Sequence, residues 1–207
     1  MMKKIESSLT NMVLVLTAVA VIMGAILALV NHATSAPIAQ QKEKELNDGI
    51  KAVMVCDDIV VAKKDTVRQN DDKGKELTFV IYQTQDDKGN DLGAAVESTT
   101  LGFGGNLKVL VGFDAEGTIL GYTLLEHAET PGLGAKADKW FQKGEKGDII
   151  GKSPQETLTV SKDGGQVDAI TASTITSRAF LLAVNNAYKA YMAVPFTDAE
   201  TGATSQY

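Results

Sequence analysis

A chain of 207 residues with 20 Lys and Arg against 26 Asp and Glu carries a net charge of −6 and has no basic surplus to offer nucleic acid or anionic lipid. One cysteine, Cys56, and two distant histidines, His32 and His127, are too few to build a disulfide or a metal cage within one chain, so no metal site is expected. The length admits one membrane anchor and one domain of ordinary size.

The first element is apolar. Met12 to Val30 are nineteen residues without a charge, and at about 1.5 Å per residue a helix of that length nearly matches a hydrocarbon core of roughly 30 Å. Lys3 and Lys4 precede it and no Lys or Arg follows until Lys42, which predicts a cytoplasmic N-terminus and an extracytoplasmic domain. The competing reading is a cleavable signal peptide with small residues at Ala33–Ala36, but the apolar run exceeds the roughly 7–15 residues of a signal core. The expected organisation is an N-terminus and anchor at 1–34, a connector helix at 35–56, one domain at 57–195 and a flexible tail at 196–207.

After Pro37, the spacing of Ile38, Leu46, Ile50 and Val53 among lysines and glutamates predicts an amphipathic connector helix. Strand patterns follow at Asp58–Ala62, Leu77–Gln83, Leu92–Glu97, Leu107–Phe113 and Thr118–Glu126. Turn sequences such as Asp87-Lys88-Gly89-Asn90 separate them, and the last two read as a hairpin about Asp114–Gly117. A short helix at Ala137–Lys143 and a strand at Glu156–Ser161 come next. A closing helix from Ser177 to Ala193 places Phe180, Leu181, Val184, Ala187, Tyr188 and Tyr191 on one face. Strands in sequence flanked by helices predict an α+β fold with an antiparallel sheet.

Little in the chain carries chemistry of its own. Gly132-Leu133-Gly134-Ala135-Lys136-Ala137 has the letters of a dinucleotide-binding turn, but that turn follows its strand directly within a βαβ unit, and here Ala128-Glu129-Thr130-Pro131 intervenes. The same glycines instead extend a compact turn, His127 to Gly134, that offers a carboxylate, a hydroxyl and an apolar side chain to a flat ligand, or serves as a turn with no ligand. His127 and Glu129 could form an acid–base pair, but no nucleophile elbow or P-loop lysine accompanies them and no catalytic residue is expected. Asp168-Ala-Ile-Thr171-Ala-Ser173-Thr174-Ile175-Thr176 sets small hydroxyl residues just before the closing helix, where helix capping is the ordinary use.

His127-Ala-Glu-Thr-Pro-Gly-Leu-Gly134 and Asp168-x-x-Thr-Ala-Ser-Thr-x-Thr176, behind one N-terminal anchor, together resemble the FMN-binding domain family of the G subunit of Rnf electron-transport complexes. The C subunit of the sodium-pumping NADH:quinone reductase shares this domain and is the alternative reading; a flavin-free anchored scaffold is a third. The resemblance implies FMN joined through its phosphate to a threonine hydroxyl, which maps onto Thr174. It departs from the family pattern at Ala172, where glycine is usual, and at Ser173, where alanine is usual. The tail copy Thr201-Gly-Ala-Thr204 matches the letters better, but it has no helix after it to stabilise a phosphate.

The resemblance further implies a separate Mg-dependent flavin transferase that recognises the segment around Asp168 and draws FMN from FAD. It also implies partner subunits of a membrane complex coupling ferredoxin and NAD to ion movement at the inner membrane. Glu129, Thr130 and Leu133 are then expected beside the ring or ribityl chain, with Thr171 and the backbone from Ser173 through Ile175 to Thr176 around the phosphate.

Overall fold

The computed structural model of the chain describes residues 9–56, 58–70, 74 and 76–193. Thr204 and the rest of the tail lie outside them. The chain divides into two compact units, Met1–Glu45 and Leu46–Tyr207.

In the first unit, a helix continues from Leu9 through the apolar run; the whole helix, α1, spans Leu9–Met54 and is long and apolar enough to cross a membrane. Pro37 lies inside this helix, so the apolar run and the segment expected as a connector helix are continuous. Proline removes a single rung of the helical ladder, and the residues around it are exposed, which leaves the orphaned carbonyl of Ala33 open to its surroundings. Thr34 and Ser35 return their hydroxyls to the carbonyls of Val30 and His32, which keeps both side chains within the helical turn.

The second unit is α+β, as the order of elements predicts. Five strands, β1 (Val60–Asn70), β2 (Glu76–Gln85), β3 (Asp91–Leu101), β4 (Asn106–Phe113) and β5 (Ile119–His127), form one antiparallel meander in chain order. A short helix α2 (Ala137–Trp140) and a long helix α3 (Thr174–Met192) follow. On one face of the sheet, Phe79, Ile81, Val96, Val109, Val111 and Phe113 pack against Phe180, Leu181, Val184 and Tyr191 of α3. Phe141 stacks on Phe180 at 4.2 Å and Phe113 on Tyr191 at 5.5 Å. Each fully buried phenylalanine contributes about 1.5–3 kcal/mol by leaving water.

The opposite face is covered by the last turns of α1, where Ile50, Val53 and Met54 meet Tyr82, Ala95 and Leu110. Two glycines make this approach possible. Gly112 and Gly121 are cross-strand partners on β4 and β5; a Cβ on Gly112 would strike the Val53 carbonyl, and one on Gly121 would lie 2.8 Å from the same oxygen.

Predicted boundaries are corrected in several places: β3 runs on to Leu101 beyond Glu97, and α2 ends at Trp140, short of Lys143. Strand β1 runs to Asn70, well past Ala62. It is an edge strand whose first five residues, Val60 to Lys64, are all exposed, and half-buried positions alternate with exposed ones only from Asp65 on. Glu156–Ser161 is no strand: Asn185 of α3 accepts the Leu158 amide and donates to the Leu158 carbonyl, both at 2.9 Å. Only an isolated parallel bridge joins Val160 to Val167. Finally, α3 begins at Thr174, three residues ahead of Ser177, because the Ser177 amide closes its first turn on the Ser173 carbonyl.

Candidate functional site

A cleft of about 400 Å³ opens where the β3–β4 turn, the turn after β5 and the start of α3 converge. Glu129, Thr130, Leu133, Ser173, Thr174, Ile175 and Thr176 all line it. The motif after β5 and the motif before α3 are far apart in sequence, and the sheet and α3 bring them to one place.

Glu129 ties these elements together. It is only 6 % exposed, and its carboxylate accepts three hydrogen bonds. Oε1 takes the amides of Phe103 (2.7 Å) and Gly104 (3.1 Å), and Oε2 takes the Thr176 hydroxyl (2.7 Å). A Cβ at Gly102 or Gly134 would collide with the same carboxylate, so both glycines serve its close embrace. Glu129 therefore braces the cleft from below. His127, two residues earlier, is exposed at the end of β5.

The rim is apolar. Phe103 is 69 % exposed, Ile175 53 % and Leu133 41 %, and all three line the cleft. Phe103 escaped the sequence reading; its signal is Gly102-Phe103-Gly104-Gly105, one aromatic residue among three glycines, closed by a 2.8 Å bond from the Gly102 amide to the Gly105 carbonyl.

Thr174 is the first residue of α3 and is half-buried. Ser173 at the N-cap makes no side-chain capping bond, so the expected capping role is not taken up by its hydroxyl. The amides of Thr174, Ile175 and Thr176 precede the first intrahelical bond. Ala172 just before them has φ of 60°, a left-handed conformation that favours glycine. The Thr174 Oγ1 accepts a 3.2 Å hydrogen bond from Lys162 Nζ, a residue the sequence did not single out. Beside it, Arg178 grips Asp163 through two bonds of 2.6 and 2.7 Å. That hydrogen-bonded guanidinium holds the Asp163 carboxyl below the usual carboxylate range.

Two predicted residues stand apart. Thr171 and Asp168 are exposed and do not line the cleft. The Asp168 carbonyl accepts the Trp140 indole N–H at 2.8 Å, which accounts for the half-buried tryptophan as a packing residue. A separate groove of about 430 Å³ along Pro131, Lys136, Asp138 and Trp140 gathers none of the hydroxyl residues of the α3 motif. Cys56 is half-buried, and among the described residues no group of three His, Cys, Asp or Glu side chains is placed to hold a metal ion.

A meander capped by one long helix, with a hydroxyl-rich helix start facing a glycine turn, forms a domain with a small-ligand cleft, and residues 102–189 match the FMN-binding domain family. The G subunit of the ion-translocating oxidoreductase complex of Vibrio cholerae serotype O1 (strain M66-2) is 35% identical over 84% of this chain and 86% of its own length. The proteins of the same name from Shewanella baltica (strain OS223) and Aliivibrio fischeri (strain MJ11) are 32% and 33% identical. They cover 81% and 84% of this chain, and 82% and 86% of their own lengths. The chain belongs to the family of Rnf-type G subunits.

Proposed function

We propose that this chain is a single-pass, membrane-anchored electron carrier that holds FMN covalently at Thr174 within an Rnf-type complex. That complex couples electron transfer between ferredoxin and NAD to ion translocation, and this subunit completes no turnover alone. The observation that carries the reading is the convergence of Thr174, at the open start of α3, with Thr130 and Leu133 in one cleft. The relatives' shared name and the long apolar α1 support the setting. The lysines ahead of the anchor favour an inner-membrane orientation with the domain outside the cytoplasm.

The residues present fit such a group. A cleft of about 400 Å³ is within the range of small-ligand sites, and Leu133, Ile175 and Phe103 offer an apolar rim to a flat ring. FMN, when bound, supplies one- and two-electron redox chemistry that no side chain here can provide. Thr174 would offer its Oγ as the ester oxygen, and the amides of Ile175 and Thr176, free of intrahelical bonds at the helix start, would favour a phosphate charge. Glu129 fixes the floor and the Thr176 side chain, which keeps the helix start rigid. Thr171 is exposed just outside the residues that line the cleft. Asp168, exposed beside the motif, is left for the flavin transferase to read.

The test is an intact-mass spectrum of the full chain from a host that co-expresses a flavin transferase, with peptide mapping. An increment of FMN less water on the Thr174 peptide, lost in Thr174→Ala, is expected. A colourless, unmodified protein would instead make the chain a scaffold, and an adduct on Thr204 would keep the function and move the site.

A further inference from the structure

We propose that Lys162 is the positioning residue for flavin attachment: its ammonium holds the Thr174 oxygen in place and then neutralises the phosphodiester formed there. The inference rests on Thr174 being the attachment site. Its basis is the 3.2 Å hydrogen bond from Lys162 Nζ to Thr174 Oγ1, together with the way the chain is built to deliver that amine.

Lys162 sits at the tip of a closed loop. The Ser161 amide bonds the Val167 carbonyl at 2.7 Å, and the Asp163 and Gly165 amides both bond the Val160 carbonyl. Gly164 turns the chain at φ 85°. Asp163, the adjacent acid that would otherwise compete for the ammonium, is engaged by Arg178, a residue one turn beyond Thr174 on α3. The same bidentate pair pins the loop tip to the helix that carries the threonine. A lysine is thus presented to a threonine twelve residues away by loop bonds and an Asp163–Arg178 pair that lie outside the cleft lining.

In the transfer, Thr174 Oγ forms a bond to the FMN phosphorus of FAD while the pyrophosphate P–O bond breaks. AMP leaves with that bond's electron pair, and the hydroxyl proton passes to a base on the transferase. An ammonium that donates to Oγ leaves the hydroxyl proton directed away from itself. The product is a phosphodiester monoanion beside Thr174, and one lysine matches that charge with a charge-assisted hydrogen bond.

The experiment follows FMN attachment to full-length protein in detergent, with purified transferase, FAD and Mg²⁺, by intact mass over time. It compares the parent with Lys162→Ala, Lys162→Arg and Lys162→Glu. A second readout is acetylation of Lys162 in the parent before and after loading, read by peptide mapping. The expected results are a rate about tenfold lower for Lys162→Ala, a further loss for Lys162→Glu, substantial rescue by Lys162→Arg, and protection of Lys162 from acetylation once FMN is attached. Parental rates in Lys162→Ala, or equal acetylation in both states, would overturn the proposal while leaving Thr174 as the site. Equal loss in all three variants with a lowered melting temperature would overturn it in favour of a structural role. A parent protein with no adduct on Thr174 would overturn the functional reading itself.

Discussion

Ala172 stands at φ 60°, where a Cβ crowds the following carbonyl and costs about 1–2 kcal/mol. The residue is exposed, so no packing is gained in return, and the strain is used to turn the chain sharply into the first amides of α3. Ala172→Gly relieves it, offset by roughly 0.4–1 kcal/mol for glycine's greater freedom when unfolded. The expected outcome in urea unfolding is a net gain of up to about 1.5 kcal/mol, with Ala172→Val losing about 1 kcal/mol or more. A valine variant as stable as the parent would show that the turn does not need its left-handed backbone. The departure from the usual glycine was visible in the sequence; that this position is the left-handed one was not, since alanine is ordinarily a helix former. Lys162 shows the same limit. A lysine in a Ser-Lys-Asp turn reads as a solvated charge until the loop is closed against α3.

Among the elements, β2, β4 and β5 were the most legible strands, whereas β3, which also packs against α3, was read only to Glu97 and runs on to Leu101. The sheet is covered on both faces, by α3 on one and by the end of α1 on the other, which gives β2, β4 and β5 apolar runs whose predicted spans fall within two residues of those observed. Edge strand β1, with no fully buried residue, was cut short. The stretch about Leu158 failed differently: its burial gave it strand-like letters, but its hydrogen bonds go to the Asn185 side chain. The end of α1 depends on the glycine pair beneath it. Gly112→Ala drives a methyl into the Val53 carbonyl and is expected to lower stability by about 1–3 kcal/mol. Faster tryptic cleavage at Lys51 should accompany that loss, since local opening of the last helical turns exposes the bond. Parental stability and cleavage would mean that α1 can slide over the sheet without cost.

For the molecule as a whole, alkaline pH probes both faces of the sheet at once. Burial first, and the nearby Glu97 second, push the Tyr82 phenol up from 10.0 to about 12. Burial likewise raises Tyr122, whose hydroxyl donates to the Ala137 carbonyl at 2.7 Å and accepts the Phe141 amide. A phenol raised on folding contributes stability that is fully present below its unfolded value and lost as pH climbs through the folded one. Unfolding midpoints in urea should therefore hold to about pH 10 and fall between there and about pH 12. Tyr82→Phe should flatten part of that fall, and an unchanged slope would place the loss elsewhere.

Periodicity determined much by itself. An uncharged run long enough for a bilayer, apolar strand runs and a helix with one apolar face define a long apolar helix followed by an α+β domain, because burial against water is written residue by residue. Two short motifs also carried the family. What only the tertiary structure decided are the meetings between distant segments: the Glu129 carboxylate on the Phe103 and Gly104 amides, Val53 over the glycine pair, and Lys162 on Thr174. Such contacts depend on where loops close in space, and a polar side chain carries the same letter whether water or a neighbouring hydroxyl satisfies it.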